Sequence, residues 1–85
     1  MTLIVENRRG LHARAAAKFV GVVKNFKSEV CVSRCGQTVS GSSILGLMML
    51  SASQGSEIKI ESTGQDSSAV VHAICELIRA KFYEE

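Results

Sequence analysis

The chain has 85 residues, 46% of them hydrophobic and 21% charged, with a formal net charge of +2. That is globular composition rather than disorder, and the charge is too mild to argue for nucleic acid by itself. A chain this short buries only about 60–65% of its unfolded surface, so any chemistry is expected at the surface rather than in a deep enclosed cleft.

In chain order, Thr2-Leu3-Ile4-Val5-Glu6 is short and β-branched and predicts a strand with Leu3 and Val5 inward. Asn7-Arg8-Arg9-Gly10 predicts a turn. From Ala13 to Lys24, the apolar residues Ala16, Phe19, Val20 and Val23 recur at helical spacing and define one buried face. Glu29 to Ser33 alternates with Val30 and Val32 on one side, Cys35-Gly36 turns the chain, and Gln37 to Ser40 returns as the second arm of a hairpin. Ser42-Ser43 precedes the short apolar helix Ile44 to Leu50, with Ser42 as the expected cap. Ser56 to Glu61 alternates again with Ile58 and Ile60 inward. Asp66 is the expected N-cap of a last helix whose apolar positions are Val70, Ala73, Ile74, Leu77, Ile78 and Phe82.

The order is β-α-β-β-α-β-α. Each strand has one apolar face and each helix one apolar stripe. The expected fold is α+β: a two-layer, open-faced β-sandwich, with a four-stranded antiparallel sheet covered on one face by three helices. No linker or repeat divides the chain, so residues 1–85 are expected to form one domain. The longest apolar run, Ile44 to Leu50, is interrupted by Gly46 and falls far short of the roughly 20 residues of a membrane span. No signal peptide is recognisable. With Cys31, Cys35 and Cys75 odd in number and without CxxC spacing, the simplest expectation is a cytoplasmic protein with reduced thiols. His12, His72 and the cysteines show no zinc-type spacing, and no metal or cofactor is expected.

His12 stands where a helix should begin, yet Ser, Thr, Asp or Asn is the usual residue there. The first helical N–H groups, from Ala13 and Arg14 onward, lack intrahelical partners and carry the positive end of the helix dipole. Such an end favours anions and disfavours imidazolium. A neutral imidazole is nucleophilic, and arginine matches phosphate geometry. A single histidine near a helix start is usually structural or solvated; if His12 instead attacks a phosphoryl group, the product's charge is held by the N–H groups of Ala13 and Arg14 and by the Arg14 guanidinium. On this view His12 is not chiefly a cap, and small Ala13, Ala15 and Ala16 leave it accessible. His72, one position off the apolar stripe, is expected at the surface without a ligand role.

Gly10-Leu11-His12-Ala13-Arg14 followed by Ala16-Ala17 resembles the active-centre signature of the histidine-containing phosphocarrier (HPr) family of the phosphotransferase system. Ser42-Ser43-Ile44-Leu45-Gly46-Leu47-Met48-Met49-Leu50, then Gln54-Gly55, resembles that family's serine-centred regulatory segment. The resemblance covers essentially the whole chain. It implies that enzyme I, charged by phosphoenolpyruvate, phosphorylates His12 on Nδ1, that Arg14 stabilises the product, and that an enzyme IIA accepts the group. It implies a strand order of 1-4-2-3, and regulatory phosphorylation of Ser43 by an HPr kinase/phosphorylase. The chain departs from the family pattern at Ala15, where proline is usual, which restores an N–H and loosens the first turn.

Ile44, Leu45, Leu47, Met48, Met49 and Leu50 exceed what one stripe of a short helix buries. Leu47 and Leu50 are assigned to the core. Ile44, Leu45, Met48 and Met49 are assigned to an exposed docking patch for protein partners. The resulting expectation is a stoichiometric phosphocarrier, not an enzyme, acting as a monomer without nucleic acid or membrane insertion. The alternative is a regulatory HPr-like module of the nitrogen-related branch, acting through protein contacts rather than sugar uptake. The ending Phe82-Tyr83-Glu84-Glu85, the Met48-Met49-Leu50 run and Ser62-Thr63-Gly64 resemble that branch.

Overall fold

The computed structural model describes residues 1–84. Its elements are β1 (Thr2–Ile4), α1 (Ala13–Val23), β2 (Glu29–Arg34), β3 (Gln37–Ser40), α2 (Ile44–Met49), β4 (Glu57–Thr63) and α3 (Ser67–Arg79), followed by a short turn, Lys81–Tyr83. The four strands form one sheet in the order β1-β4-β2-β3, every neighbouring pair antiparallel. Glu85, the last residue of the branch-like ending, lies outside the described residues.

Period-two alternation gives the sheet one apolar face. Leu3 lies opposite Ile58, and Val32 lies between Ile60 and Val39, in one continuous inward row. Ile58, Ile60, Val30 and Val32 are buried there, whereas Cys31, Lys59 and Glu61 between them face solvent. The helices cover the apolar face with Ala16, Phe19, Val20 and Val23 from α1, Leu47 from α2, and Val70, Ile74, Leu77 and Ile78 from α3. The predicted face of α1 is therefore the buried one. Cys35 and Gly36, at φ of 51° and 81°, make the tight turn between β2 and β3.

Some expectations about termini are corrected. β1 stops at Ile4 rather than residue 6, although Val5 still exchanges hydrogen bonds with Ser56 O and Gly55 N at 2.9 and 2.8 Å. β4 begins one residue later and ends two later than expected, at Thr63. Ser43, not Ser42, caps α2, its Oγ accepting from Gly46 N at 2.9 Å.

Asp66 occupies the N-cap position of α3, but its side chain makes no capping hydrogen bond there. Its carboxylate instead accepts from the N–H groups of Lys27 and Ser28, at 3.0 and 2.9 Å, and from Ser28 Oγ at 2.5 Å. The cause is topological: β2 and β4 are neighbours, with Glu29 opposite Thr63, so the loops leading into β2 and out of β4 meet. Two orphan loop N–H groups at this junction win the carboxylate. Gly64 permits the approach, since at φ +136° a Cβ there would lie 2.9 Å from Ser28 Cα.

The Ser28 hydroxyl and the Lys27 N–H, despite some opposing desolvation, hold the Asp66 carboxyl below its ordinary value of 3.8. A carboxyl depressed in the folded state binds protons first in the unfolded chain. Its stabilisation is complete above the ordinary carboxylate range and is lost as pH falls through the folded value. Asp66→Asn is expected to be less stable than the parent at pH 6, with the two urea midpoints converging as pH falls below the ordinary carboxylate value.

Candidate functional site

Residues 5–12 carry the chain from β1 to α1 along a fixed path. Gly10 N donates to Asn7 O at 3.2 Å and Leu11 N donates to Ala52 O at 2.9 Å. Gly10 sits at φ +67°, and a Cβ there would lie 2.4 Å from Ala52 O, so this position requires glycine. Leu11 is buried, which anchors the chain directly before His12.

His12 has extended backbone, φ −79° and ψ −178°, and stands at the N-cap of α1. Its Nδ1 accepts the Arg14 N–H at 3.3 Å, and its carbonyl accepts Ala16 N at 2.8 Å. His12 does cap the helix: a ring lone pair stands where a Ser or Asp oxygen usually does. At 3.3 Å this hydrogen bond is long, so the lone pair is held in direction without being strongly engaged. Nε2 meets Glu84 Oε2. The His12 side chain is 18% exposed and that of Glu84 8%.

Ala13 and Arg14 are exposed beside the ring. The Arg14 guanidinium makes no ion pair among the described residues. Ala15 and Ala16 are fully buried, so they support the first turn from the core instead of clearing space around the histidine.

Asn7, Lys18, Phe82 and Glu84 complete the site, and none was singled out for it by sequence. Asn7 is fully buried, and its Nδ2 donates to Gly10 O at 2.8 Å and to Glu84 Oε1 at 2.9 Å. Phe82 does not continue the stripe of α3. It lies in the turn after it, where Lys81, Phe82 and Tyr83 all have positive φ, at 55°, 55° and 58°. This left-handed turn drives the Phe82 ring fully into the core and swings Glu84 back over His12. Lys18 Nζ donates to Phe82 O at 2.6 Å and braces the turn against α1. The one available sequence signal was the Phe82-Tyr83-Glu84 ending, and no local pattern links it to a residue 72 positions away. Burial pushes the Glu84 carboxyl up, but hydrogen bonds from Asn7 and His12 and the electrostatic pull of the His12 ring and of Lys18 outweigh it and leave it below its ordinary value.

The segment after α2 abuts this loop. Arg9, Leu11, Ser51, Ala52 and Ser53 line a shallow cavity of about 170 Å³ beside it. On α2, Leu47 and Leu50 are in the core, whereas Ile44, Leu45, Met48 and Met49 are 42, 68, 39 and 60% exposed. Ser43 is partly buried at the head of that helix. His72 is exposed, 3.2 Å from Glu76. A larger cavity, about 510 Å³, borders α3 at His72, Cys75 and Arg79 and shares no residue with the His12 cluster. Among the described residues, no group of three or more His, Cys, Asp or Glu is placed to hold a metal ion, and no helix is long and apolar enough to cross a membrane.

Residues 1–80 match the family model described as the HPr component phosphorylation site of the phosphotransferase system. The chain is 42% identical to the phosphocarrier protein HPr of Xylella fastidiosa (strain 9a5c) over 83 residues, 98% of this chain and 93% of that protein. It is 41% identical to the phosphocarrier protein NPr of Shewanella violacea over 78 residues, 92% of this chain and 86% of that one. Among solved structures, the crystal structure of HPr-C-His from Thermoanaerobacter tengcongensis superposes with a TM-score of 0.95 at 39% identity, covering 100% of this chain and 96% of the other.

Because Phe82 anchors the turn that carries Glu84, Phe82→Ala is expected to lower unfolding free energy by about 3–5 kcal/mol and to release the carboxylate. Urea denaturation measures the first effect, and a change in the His12 ring signals by NMR reports the second.

Proposed function

The chain belongs to the HPr family of phosphocarrier proteins of the phosphotransferase system, and from that premise we propose that His12 accepts a phosphoryl group from enzyme I and passes it to a histidine of an enzyme IIA. The observation that carries this reading is the Nδ1 lone pair, aimed at the open end of α1 beside the exposed Arg14. A phosphoryl group on Nδ1 would lie among the N–H groups of Ala13 and Arg14, at the positive end of the helix. The Arg14 guanidinium is close in sequence and free to swing onto its oxygens.

The protein acts as a stoichiometric relay rather than a turnover enzyme and needs no cofactor, since the donor's phosphoryl group is already activated. We take the acting form to be a cytoplasmic monomer of one HPr-like domain, because successive partners must reach the same face. Ala15 leaves His12 and Arg14 in place. It adds an N–H and makes the first turn more flexible than the family's proline would.

Ile44, Leu45, Met48 and Met49 form the docking patch in this reading. Their exposure, and the contact of the chain after α2 with the His12 loop, favour one continuous surface. Ser43 is the regulatory phosphorylation site, acted on by an HPr kinase/phosphorylase. A dianion there would keep an oxygen over Gly46 N, so the helix survives, while negative charge enters the docking surface. The similarity to a Shewanella NPr favours a second reading, the nitrogen-related branch. Transfer to a nitrogen-type IIA but not to a sugar-type IIA would select it.

Incubation with enzyme I, magnesium and phosphoenolpyruvate, followed by intact-mass measurement, is expected to add one acid-labile phosphoryl group to the parent and none to His12→Ala. No labelling of folded parent protein by several enzyme I homologues would refute the relay. Met48→Glu and Ser43→Asp are each expected to slow labelling while leaving the thermal unfolding midpoint nearly unchanged. Undiminished rates in both would remove the patch and the regulatory serine from the account.

A further inference from the structure

The His12 ring is held at both nitrogens. The Arg14 N–H donates to Nδ1 at 3.3 Å, and Nε2 meets Glu84 Oε2. A backbone N–H only donates, and an ionised carboxylate only accepts. Both partners therefore demand the same neutral tautomer, with the hydrogen on Nε2 and the lone pair on Nδ1. The weaker contact directs the lone pair; the carboxylate fixes the proton. We propose that Glu84 is a positioning residue for the His12 relay: its carboxylate keeps the proton on Nε2, so that Nδ1 is the attacking nitrogen, and it balances the ring's charge during transfer. This deepens the reading of His12 as phosphoryl acceptor and rests on it.

The surroundings of Glu84 are built to place that one carboxylate. Three successive residues with side chains, Lys81, Phe82 and Tyr83, adopt the left-handed conformation that such residues disfavour. Phe82 is fully buried, and Lys18 holds its carbonyl at 2.6 Å. Asn7 holds the second carboxylate oxygen at 2.9 Å and is itself fully buried, with its Oδ1 lacking a hydrogen-bond partner among the described residues. An unpaired buried carbonyl is destabilising and calls for an explanation. Here both amide hydrogens are committed to Gly10 O and Glu84 Oε1, and turning the amide over would set oxygen against oxygen.

In the accepting step, the Nδ1 lone pair forms the N–P bond as the donor's bond to phosphorus breaks, and the donor leaves with that electron pair. The ring gains positive charge, shared with Nε2–H, which faces the Glu84 carboxylate. In the donating step the N–P electrons return to Nδ1, and the ring is again neutral with its proton on Nε2. A carboxylate beside the ring therefore stabilises the charged form through which the group arrives and leaves.

Glu84→Gln gives a sharp test. An amide has one acceptor oxygen, whereas Asn7 Nδ2 and His12 Nε2–H both need one. With the oxygen kept on Asn7, the amide NH₂ faces Nε2 and moves the ring proton to Nδ1, removing the nucleophile, as a wrong tautomer does in hydrolytic triads. Nitrogen-15 NMR of the imidazole at alkaline pH should give the Nε2–H tautomer in the parent, a mixture in Glu84→Ala, and a shift toward Nδ1–H in Glu84→Gln. The initial rate of labelling by enzyme I and phosphoenolpyruvate should fall roughly 10- to 100-fold in both variants, more in Glu84→Gln. Parent-like tautomers with undiminished rates would overturn the proposal. So would a rate loss with unchanged tautomers, which would make the turn a docking element only. If the parent itself takes no phosphoryl group, the relay reading fails. The tautomer comparison needs no donor and still decides whether Glu84 sets the ring's proton.

Discussion

The fully buried Asn7 amide is the junction on which the site depends. One of its hydrogens closes the loop at Gly10, and the other receives the carboxylate of Glu84, 77 residues along the chain. The loop thus shaped delivers His12 to the head of α1, and the carboxylate thus received lies against the ring. A single amide between the two sets the relation of ring, helix end and C-terminal turn. In a domain of this size, whose core supplies only a modest margin of stability, a buried polar link of this kind serves geometry more than stability.

The acceptor role proposed for His12 is compatible with its cap because that cap is weak. Nδ1 receives the Arg14 N–H at long range, enough to aim the lone pair along the helix end and not enough to tie it up. The same N–H is among the donors that a phosphoryl group on Nδ1 would meet. A serine or aspartate cap would satisfy the helix better and offer no comparable nucleophile.

Sheet order carries the remaining constraints. Placing β4 between β1 and β2 brings the loop after β4 onto the loop before β2, where Asp66 and Ser28 join them. The helices then share one face of a narrow sheet, and α2, six residues long, has room to bury little beyond Leu47 and the Leu50 that follows it. The exposure of Ile44, Leu45, Met48 and Met49 follows from that shortage of covered surface.

By itself the sequence determined what depends on neighbours along the chain. Helical spacing in Ala16, Phe19, Val20 and Val23 and alternation in Val30-Val32 and Ile58-Ile60 marked the elements and most of the core, because burial of one face is a periodic, local property. The pairing of His12 with Arg14 near a helix start was legible for the same reason, as was the excess of apolar residues on α2. Only the tertiary structure decided which side chain each polar group would find. Asp66 left its own helix for Lys27 and Ser28, Ser43 took the cap expected of Ser42, and Phe82 entered the core from a left-handed turn rather than from the stripe of α3. Asn7 and Glu84 became part of the site through contacts that exist only once the sheet is paired and that turn has formed. Hydrogen bonds of such reach leave no periodic trace, and a left-handed backbone at three residues with side chains runs against local preference, so neither could be read before the chain was folded.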